Sequence, residues 1–190
     1  MERRTWDQAA ETFDDDPDHG LAGPRTRAAW RELLLSVLPE PPARVADLGC
    51  GTGTLTRLLS DEGYVVDGLD FSEEMIRRAR GKVPGARFFV GDAARPALEP
   101  HAYDVILSRH VLWAMSDPEG AFARWIDLLR PGGVAVLVEG RWSTGAGLTT
   151  EETVRIVRAV RAEAEVRQLP EEIYWGKEIH DERYLVVSRS

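Results

Sequence analysis

The 190 residues of this chain, 43% of them hydrophobic, fit one globular domain with a full core. Asp and Glu number 32 against 24 Lys and Arg, and the formal net charge of -8 disfavours nucleic acid as a partner. No apolar run approaches the roughly 20 residues that cross a bilayer, and the polar start lacks the apolar stretch of a secretory signal, so we expect a cytoplasmic monomer or homodimer that binds no membrane.

Short apolar runs alternate along the chain with segments of helical periodicity. Boundary residues support this division, such as Pro24 at a helix start, Gly63 at a helix end and Ser72 as an N-cap. The predicted helices cover residues 24–38, 54–63, 73–83, 119–130 and 150–164. The predicted strands cover residues 44–48, 64–70, 86–92, 102–110, 134–140, 165–169 and 184–189.

This alternation predicts an α/β fold of the Rossmann-like, doubly wound type, with a mostly parallel seven-stranded sheet and helices on both faces. No helical pattern separates the last two strands, so we expect the last strand to insert antiparallel. Residues 43–190 form the predicted core. Residues 1–42 are expected to add a lid segment and a helix to the same domain.

The stretch ADLGCGTGTL, residues 46–55, places three glycines in five positions behind Asp47. Glycine loops cradle phosphates with backbone N–H groups at a helix N-terminus, and a carboxylate at the strand end opposes an anion there. The pattern therefore favours a ligand that is not held by a phosphate. Polar residues also follow the other predicted strands, at the sheet edge where such folds bind ligands, namely Asp70, Gly91, Asp92, Ser108, Arg109, His110 and Glu139.

Five motifs in order resemble those of class I S-adenosylmethionine-dependent methyltransferases, in the small-molecule branch called methyltransferase-domain 11. They are VADLGCGTGTL, DGLDFS, VGDAA, YDVILSRHVLW and LLRPGG, within residues 43–140. The resemblance implies S-adenosyl-L-methionine as cofactor and methyl transfer to an O, N or C atom of a small molecule. It also accounts for the acidic loop, because this cofactor carries an ammonium, a sulfonium and no phosphate.

The resemblance implies a cofactor site built from the glycine loop and the next two strand ends. Asp70, 19 positions after Gly51, would accept both ribose hydroxyls. Phe71 and Met75 would pack on the adenine, whose amino edge Asp92 and the Ala93 N–H would read. Asp47 either contacts the cofactor or orients the loop, and Cys50 is a small loop filler. The implied cofactor-binding set is Asp47, Gly49, Cys50, Gly51, Gly53, Asp70, Phe71, Met75, Asp92, Ala93 and Ser108.

The acceptor is expected between the segment after the fourth strand and the amino-terminal segment. His110 is either the general base, because imidazole titrates near neutral pH, or an oriented structural residue. Arg109 either forms a local salt bridge or holds an acidic acceptor. The carboxylates of residues 14–18 are expected to face a cationic ligand. Further candidates for acceptor contacts are Phe13, Asp18, His19, Trp113, Arg141 and Trp142.

Other functions stay open beside methyl transfer. A cofactor-binding scaffold, acting as a partner subunit or as the catalyst of a rearrangement, would keep the same motifs. A nicotinamide dehydrogenase is disfavoured, because Thr54 stands where the third glycine of G-x-G-x-x-G belongs. A nucleic-acid methylase is disfavoured by the net charge and by the sequence SRHV at the fourth strand end. The four scattered histidines and single cysteine show no metal-ligand spacing, so no metal is expected.

Overall fold

The computed structural model describes residues 3–189, without the side chains of Arg3 and Asp18. Its strands are β1 Arg44–Leu48, β2 Val65–Asp70, β3 Arg87–Val90, β4 Tyr103–Arg109, β5 Leu129–Arg141, β6 Glu165–Gln168 and β7 Glu182–Ser188. Its α-helices are α1 Arg3–Ala9, α2 Pro17–Gly20, α3 Pro24–Leu35, α4 Thr54–Asp61, α5 Glu73–Lys82, α6 Pro118–Ile126, α7 Thr150–Arg158 and α8 Glu172–Trp175. Short 3-10 turns lie at Phe13–Asp15 and Leu112–Ala114.

The strands form one seven-stranded sheet in the order β3-β2-β1-β4-β5-β7-β6. The pairs from β3 to β5 are all parallel, whereas β7 runs antiparallel to both β5 and β6. The predicted α/β fold with an antiparallel last strand is therefore confirmed. The strand order reverses direction beside β1, which leaves a crevice at the carboxyl ends of β1, β2 and β4.

Several predicted boundaries were wrong, and the sheet explains the largest shift. β5 begins at Leu129, which pairs with Tyr103, and a register shift follows before Val105 pairs with Val134. Residues 129–133, predicted to end a helix and form a loop, thus belong to the strand, and α6 ends at Ile126. The helix predicted over 150–164 ends at Arg158. Residues 159–163 bury no apolar side chain, so tertiary packing does not support a further turn there.

A one-turn helix, α8, lies between β6 and β7, where the sequence predicted no helix. It buries Trp175 beside Trp30 of α3 in the apolar core on one face of the sheet. The other face carries a core that includes Trp125 of α6, so Trp30 and Trp125 are core residues as predicted. Within residues 3–189, no helix has the length and apolar character that crossing a membrane requires.

Candidate functional site

A cavity of about 410 Å³ opens at the carboxyl ends of β1, β2 and β4, under the amino-terminal segment. It brings together most of the residues that the sequence singled out. The predicted residues that line it are Phe13, His19, Asp47, Gly49, Cys50, Gly51, Asp70, Phe71, Met75, Asp92, Ala93, Arg109 and His110.

The cavity lining does not include Gly53, Ser108, Trp113, Arg141 or Trp142. Gly53 begins α4 with a positive φ of 78°, and a Cβ there would lie 3.1 Å from the Cβ of Ala79. The Ser108 hydroxyl is buried in the sheet. The Trp113 indole donates to the His110 carbonyl, 2.9 Å away, and Arg141 donates to the Gly147 carbonyl. The side chain of Asp18 lies outside the described residues.

Sequence reasoning did not include Leu55, Ala94, Val111, Ala114, Met115 and Ser116 among the site residues, although they line the cavity. Trp6 of the amino-terminal segment lines the cavity as well. Small and apolar side chains carry no chemical signature. Only their position in the sequence could have indicated a place in the site, because most of them follow a strand end at the ligand-binding edge of the sheet.

The glycine loop bends sharply because all three of its glycines have positive φ, 73° at Gly49, 53° at Gly51 and 78° at Gly53. A Cβ on Gly49 would lie 2.3 Å from a methyl group of Val111, so only glycine fits there. The Gly49 and Cys50 N–H groups donate to the Leu69 carbonyl. The loop is thereby fastened to the end of β2 and faces the cavity.

Two buried carboxyl groups give the loop side of the cavity its acidic character. Asp70 accepts hydrogen bonds from the backbone N–H groups of Gly51 (3.0 Å) and Ser72 (2.9 Å), and burial raises its pKa. Asp47 accepts a 2.6 Å hydrogen bond from the Thr56 hydroxyl. Burial raises the pKa of Asp47 to about 6, although Thr56 and Arg109 act to lower it. A cation bound here would favour the ionised form of both groups.

The opposite side of the cavity, at Asp92–Ala94, is held by α6. The Trp125 indole donates to the Ala93 carbonyl at 2.7 Å, and the Arg124 guanidinium donates to the Ala94 carbonyl at 2.8 Å. The Asp92 carboxylate accepts from the Ala94 N–H. These bonds fix the backbone against which a flat ring could lie.

The amino-terminal segment covers the glycine loop with aromatic rings. The Phe13 and His19 rings stack with centroids 4.1 Å apart, and the ring of Phe13 lies 3.2 Å from where a Cβ on Gly51 would be. Arg109 ties this cover to β4 by donating to the His19 carbonyl at 3.0 Å. The guanidinium of Arg109 also lies over the Trp30 ring, 5.3 Å from its centroid.

Two of the carboxylates expected to face a cationic ligand, Asp14 and Asp16, pair with lysines of the chain and do not line the cavity. Asp14 accepts hydrogen bonds from the Thr52 hydroxyl (2.5 Å) and the Lys82 ammonium (2.7 Å). Burial raises the pKa of Asp14, but the bonds to Lys82 and Thr52 outweigh it and leave that pKa below its usual value. Asp16 is paired with Lys177. The positive charges that face these two carboxylates therefore come from Lys82 and Lys177.

His110 stands at the cavity wall in a strained conformation, with a positive φ of 59°. Its N–H donates to the Val138 carbonyl at 2.8 Å, which holds the turn at the end of β4. Among the described residues its Nε2 is buried without a hydrogen-bond partner. Burial, followed by the charges of Arg109, Arg183 and His19, holds the pKa of the imidazole well below its usual value. The ring is therefore neutral at pH 7, and the expectation that it titrates near neutral pH is wrong, because burial disfavours its charged form.

The segment after His110 is held by Glu139 at the end of β5. One carboxyl oxygen of Glu139 accepts from the N–H groups of Val111 (3.2 Å) and Leu112 (2.8 Å). Burial raises the pKa of Glu139 to about 8, so this carboxyl is protonated at neutral pH. Glu139 thus shapes the wall of the cavity without adding charge. Among residues with described side chains, no three His, Cys, Asp or Glu are arranged to hold a metal ion.

Residues 46–137 match a family model described as a methyltransferase domain. The chain is also 41% identical over 144 residues to trans-aconitate 2-methyltransferase of Variovorax paradoxus strain S110. It belongs to the class I S-adenosylmethionine-dependent methyltransferases. The alignment covers 74% of this chain and 52% of that relative, so this methyltransferase chain spans about half the length of the relative.

Solved structures show the same methyltransferase fold. An S-adenosylmethionine-dependent methyltransferase from Mesorhizobium loti superposes with a TM-score of 0.71 at 22% identity, covering 90% of this chain and all of that one. The [4+2]-cyclase SpnF superposes with a TM-score of 0.71 at 21% identity, covering 85% of this chain and 80% of that one. At such identities the likeness concerns the fold alone.

Proposed function

We propose that this chain transfers a methyl group from S-adenosyl-L-methionine to an O, N or C atom of a small-molecule acceptor. The observation that carries the proposal is one cavity with buried carboxyl groups at its glycine loop and a neutral imidazole on its wall. A cytoplasmic monomer or homodimer that binds no nucleic acid or membrane is part of the proposal, and the net charge of -8 supports it.

The residues of the cavity fit this cofactor. Asp47 and Asp70 are buried acids beside backbone that glycine keeps open, which suits a ligand with two cationic groups and a ribose. Gly49 and Gly51 would let the backbone approach the methionine part. Phe71 and Met75 would pack on the adenine. Asp92 and Ala93, on the side held by α6, would read its amino edge.

When bound, the cofactor supplies an electrophilic methyl group on its sulfonium. The chain has to hold the acceptor in line and exclude water, because good alignment removes much of the barrier. Phe13 and His19 cover the cavity and shield it from solvent. His110 Nε2, being neutral and unpartnered among the described residues, takes the proton of an acceptor hydroxyl or protonated amine.

A small carboxylate is the acceptor class that we propose to test first. Arg109 lines the cavity beside His110 and supplies a cation there. The relative from Variovorax paradoxus carries the name of a trans-aconitate methyltransferase, which supports the choice of small organic acids.

His110→Ala tests the proposed role of the imidazole. If the acceptor must lose a proton, turnover falls by about 10²-fold or more, the usual scale for a lost general base. Binding of S-adenosylhomocysteine, measured by calorimetry, stays unchanged, because the imidazole lies on the acceptor side. His180→Ala is the matched control, since that side chain is 81% exposed. Loss of cofactor binding in His110→Ala would contradict the assignment.

A second candidate is a cofactor-binding scaffold that catalyses a rearrangement without methyl transfer. The similarity to the fold of the cyclase SpnF favours keeping it. Incubation with methyl-labelled cofactor and a library of small acids, amines and phenols separates the two functions. Label in a small-molecule product supports the methyltransferase. Tight cofactor binding with no labelled product from any acceptor supports the scaffold.

A further inference from the structure

The imidazole of His110 is enclosed by two indole rings that belong to distant parts of the chain. Trp175 of α8 stacks on it, with centroids 5.7 Å apart and an angle of 18° between the rings. Trp142, which follows β5, meets it edge-on at 5.1 Å and 79°. One face and one edge of the imidazole are thus fixed by aromatic packing.

Arg183 of β7 lies over both of these indoles. Its guanidinium carbon is 5.0 Å from the ring centroid of Trp142 and 5.4 Å from that of Trp175. Cation–π contacts of this kind strengthen as water is removed, and Arg183 is only 4% exposed. The guanidinium is also paired with Asp181 at 2.6 Å.

The neighbouring strand leaves room for this arginine. Gly140 of β5 pairs with Arg183 in the antiparallel register. A Cβ on Gly140 would lie 2.6 Å from the Glu182 carbonyl oxygen and 2.8 Å from the Cδ of Arg183, so a larger residue there would displace both the strand and this side chain. Glycine at position 140 is therefore required, in part, by the packing of the Arg183 side chain.

A buried ion pair is a weak source of stability, because desolvation of the two charges offsets most of their attraction. The Arg183–Asp181 pair lies behind the two indoles that contact His110, and this position indicates a role in the candidate site rather than in stability. We propose that Arg183 is a positioning residue for His110, which acts through Trp142 and Trp175 to fix the imidazole at the cavity wall with a cation behind it. This inference rests on the proposed function, in which His110 accepts a proton.

The Arg183 guanidinium acts on the His110 imidazole through its charge as well as through packing. The charged and titratable groups that act on the imidazole from the elements around it are Arg109 of β4, His19 of α2 and Arg183. Each disfavours a second positive charge on His110. Removal of Arg183 should therefore make protonation of His110 easier and leave less of the neutral base at a given pH.

The test is an NMR titration of the His110 imidazole in the full chain labelled at histidine, with the His110 signal assigned by its loss in His110→Gln. In Arg183→Gln the titration midpoint moves to higher pH, because one like charge is gone. In Asp181→Asn, which leaves the cation in place, the midpoint does not rise. Arg161→Gln, another partly buried arginine that binds the far end of β7, is the control and leaves the midpoint unchanged.

Arg183→Gln leaves Asp181 unpaired, so the double variant Arg183→Gln, Asp181→Asn is measured as well and compared with Asp181→Asn, from which it differs only by the loss of the cation; its midpoint should lie higher than that of Asp181→Asn. A midpoint in Arg183→Gln that is no higher than in the unsubstituted chain, or in the double variant no higher than in Asp181→Asn, overturns the proposal, as does a shift of equal size in Arg161→Gln. With an acceptor in hand, turnover of the double variant at pH values below the midpoint falls under that of Asp181→Asn by about tenfold for each pH unit that the midpoint has risen, and the two are equal at high pH. The titration needs no cofactor or acceptor, so failure of the methyltransferase assignment would be seen separately, in the binding and labelling assays.

Discussion

Asp47 and Asp70 lie on the same side of the cavity but are restrained in different ways. Asp70 is bound by two backbone N–H groups, whereas Asp47 accepts from the single hydroxyl of Thr56. Asp47 is 3% exposed, and its pKa of about 6 means that it loses its proton close to neutral pH. The charge of Asp47 is therefore expected to change near pH 6.

Cofactor affinity should consequently fall as the pH drops through about 6. The bound ammonium and sulfonium favour ionised Asp47, so protonation of this carboxyl removes an attraction that is present at higher pH. Calorimetric titration with S-adenosylmethionine at pH 5, 6, 7 and 8 measures the change. Asp47→Asn should bind weakly at every pH and lack this dependence. Equal pH dependence in Asp47→Asn would show that another group is responsible.

At the scale of elements, the amino-terminal segment is fastened to the glycine loop and α5 by one charged cluster. Asp14 meets the Lys82 ammonium at 2.7 Å, and Lys82 also donates to the hydroxyls of Thr52 and Thr54. Because Phe13 is the next residue, this cluster holds the aromatic cover over Gly51. The lid predicted from the sequence thus has a specific attachment to the core.

Lys82→Met should loosen that lid. The half-exposed pair stabilises the closed segment by about 1 kcal/mol at most, so S-adenosylhomocysteine should bind up to about fivefold more weakly. Amide hydrogen exchange over residues 6–20 should be faster in the variant, with and without ligand. Lys177→Met is the matched control, because its partner Asp16 is 3.5 Å away at the protein surface. Exchange in Lys82→Met no faster than in the unsubstituted chain would mean that the pair with Asp14 does not hold the segment.

On the scale of the whole molecule, the bound cofactor should contact both the sheet and the amino-terminal segment and so raise the free energy of unfolding. The cavity is lined by residues from both, including Trp6 and Phe13 on one side and Asp70 and His110 on the other. A ligand that binds only the folded state adds about 2.7 kcal/mol of stability at 100 times its dissociation constant.

Thermal unfolding should therefore shift upward with S-adenosylmethionine or S-adenosylhomocysteine and stay unchanged with NAD. The acids beside the loop oppose a pyrophosphate, and Thr54 replaces the third glycine of the dinucleotide pattern. Differential scanning calorimetry with each ligand at equal concentration measures the shift. Stabilisation by NAD alone would contradict the assigned cofactor.

The sequence by itself determined the strand and helix alternation, the glycine loop and the acids at the strand ends, because periodicity, N-caps and turns depend on residues close in the chain. It could not determine that β5 starts at Leu129 or that Asp14 meets Lys82, since these depend on which strands and helices become neighbours. The sequence could equally not show that Trp142 and Trp175 enclose His110 and that Arg183 lies over both indoles. Those residues come together only because β7 inserts between β5 and β6, and side-chain packing across a sheet follows strand order, which no local pattern encodes.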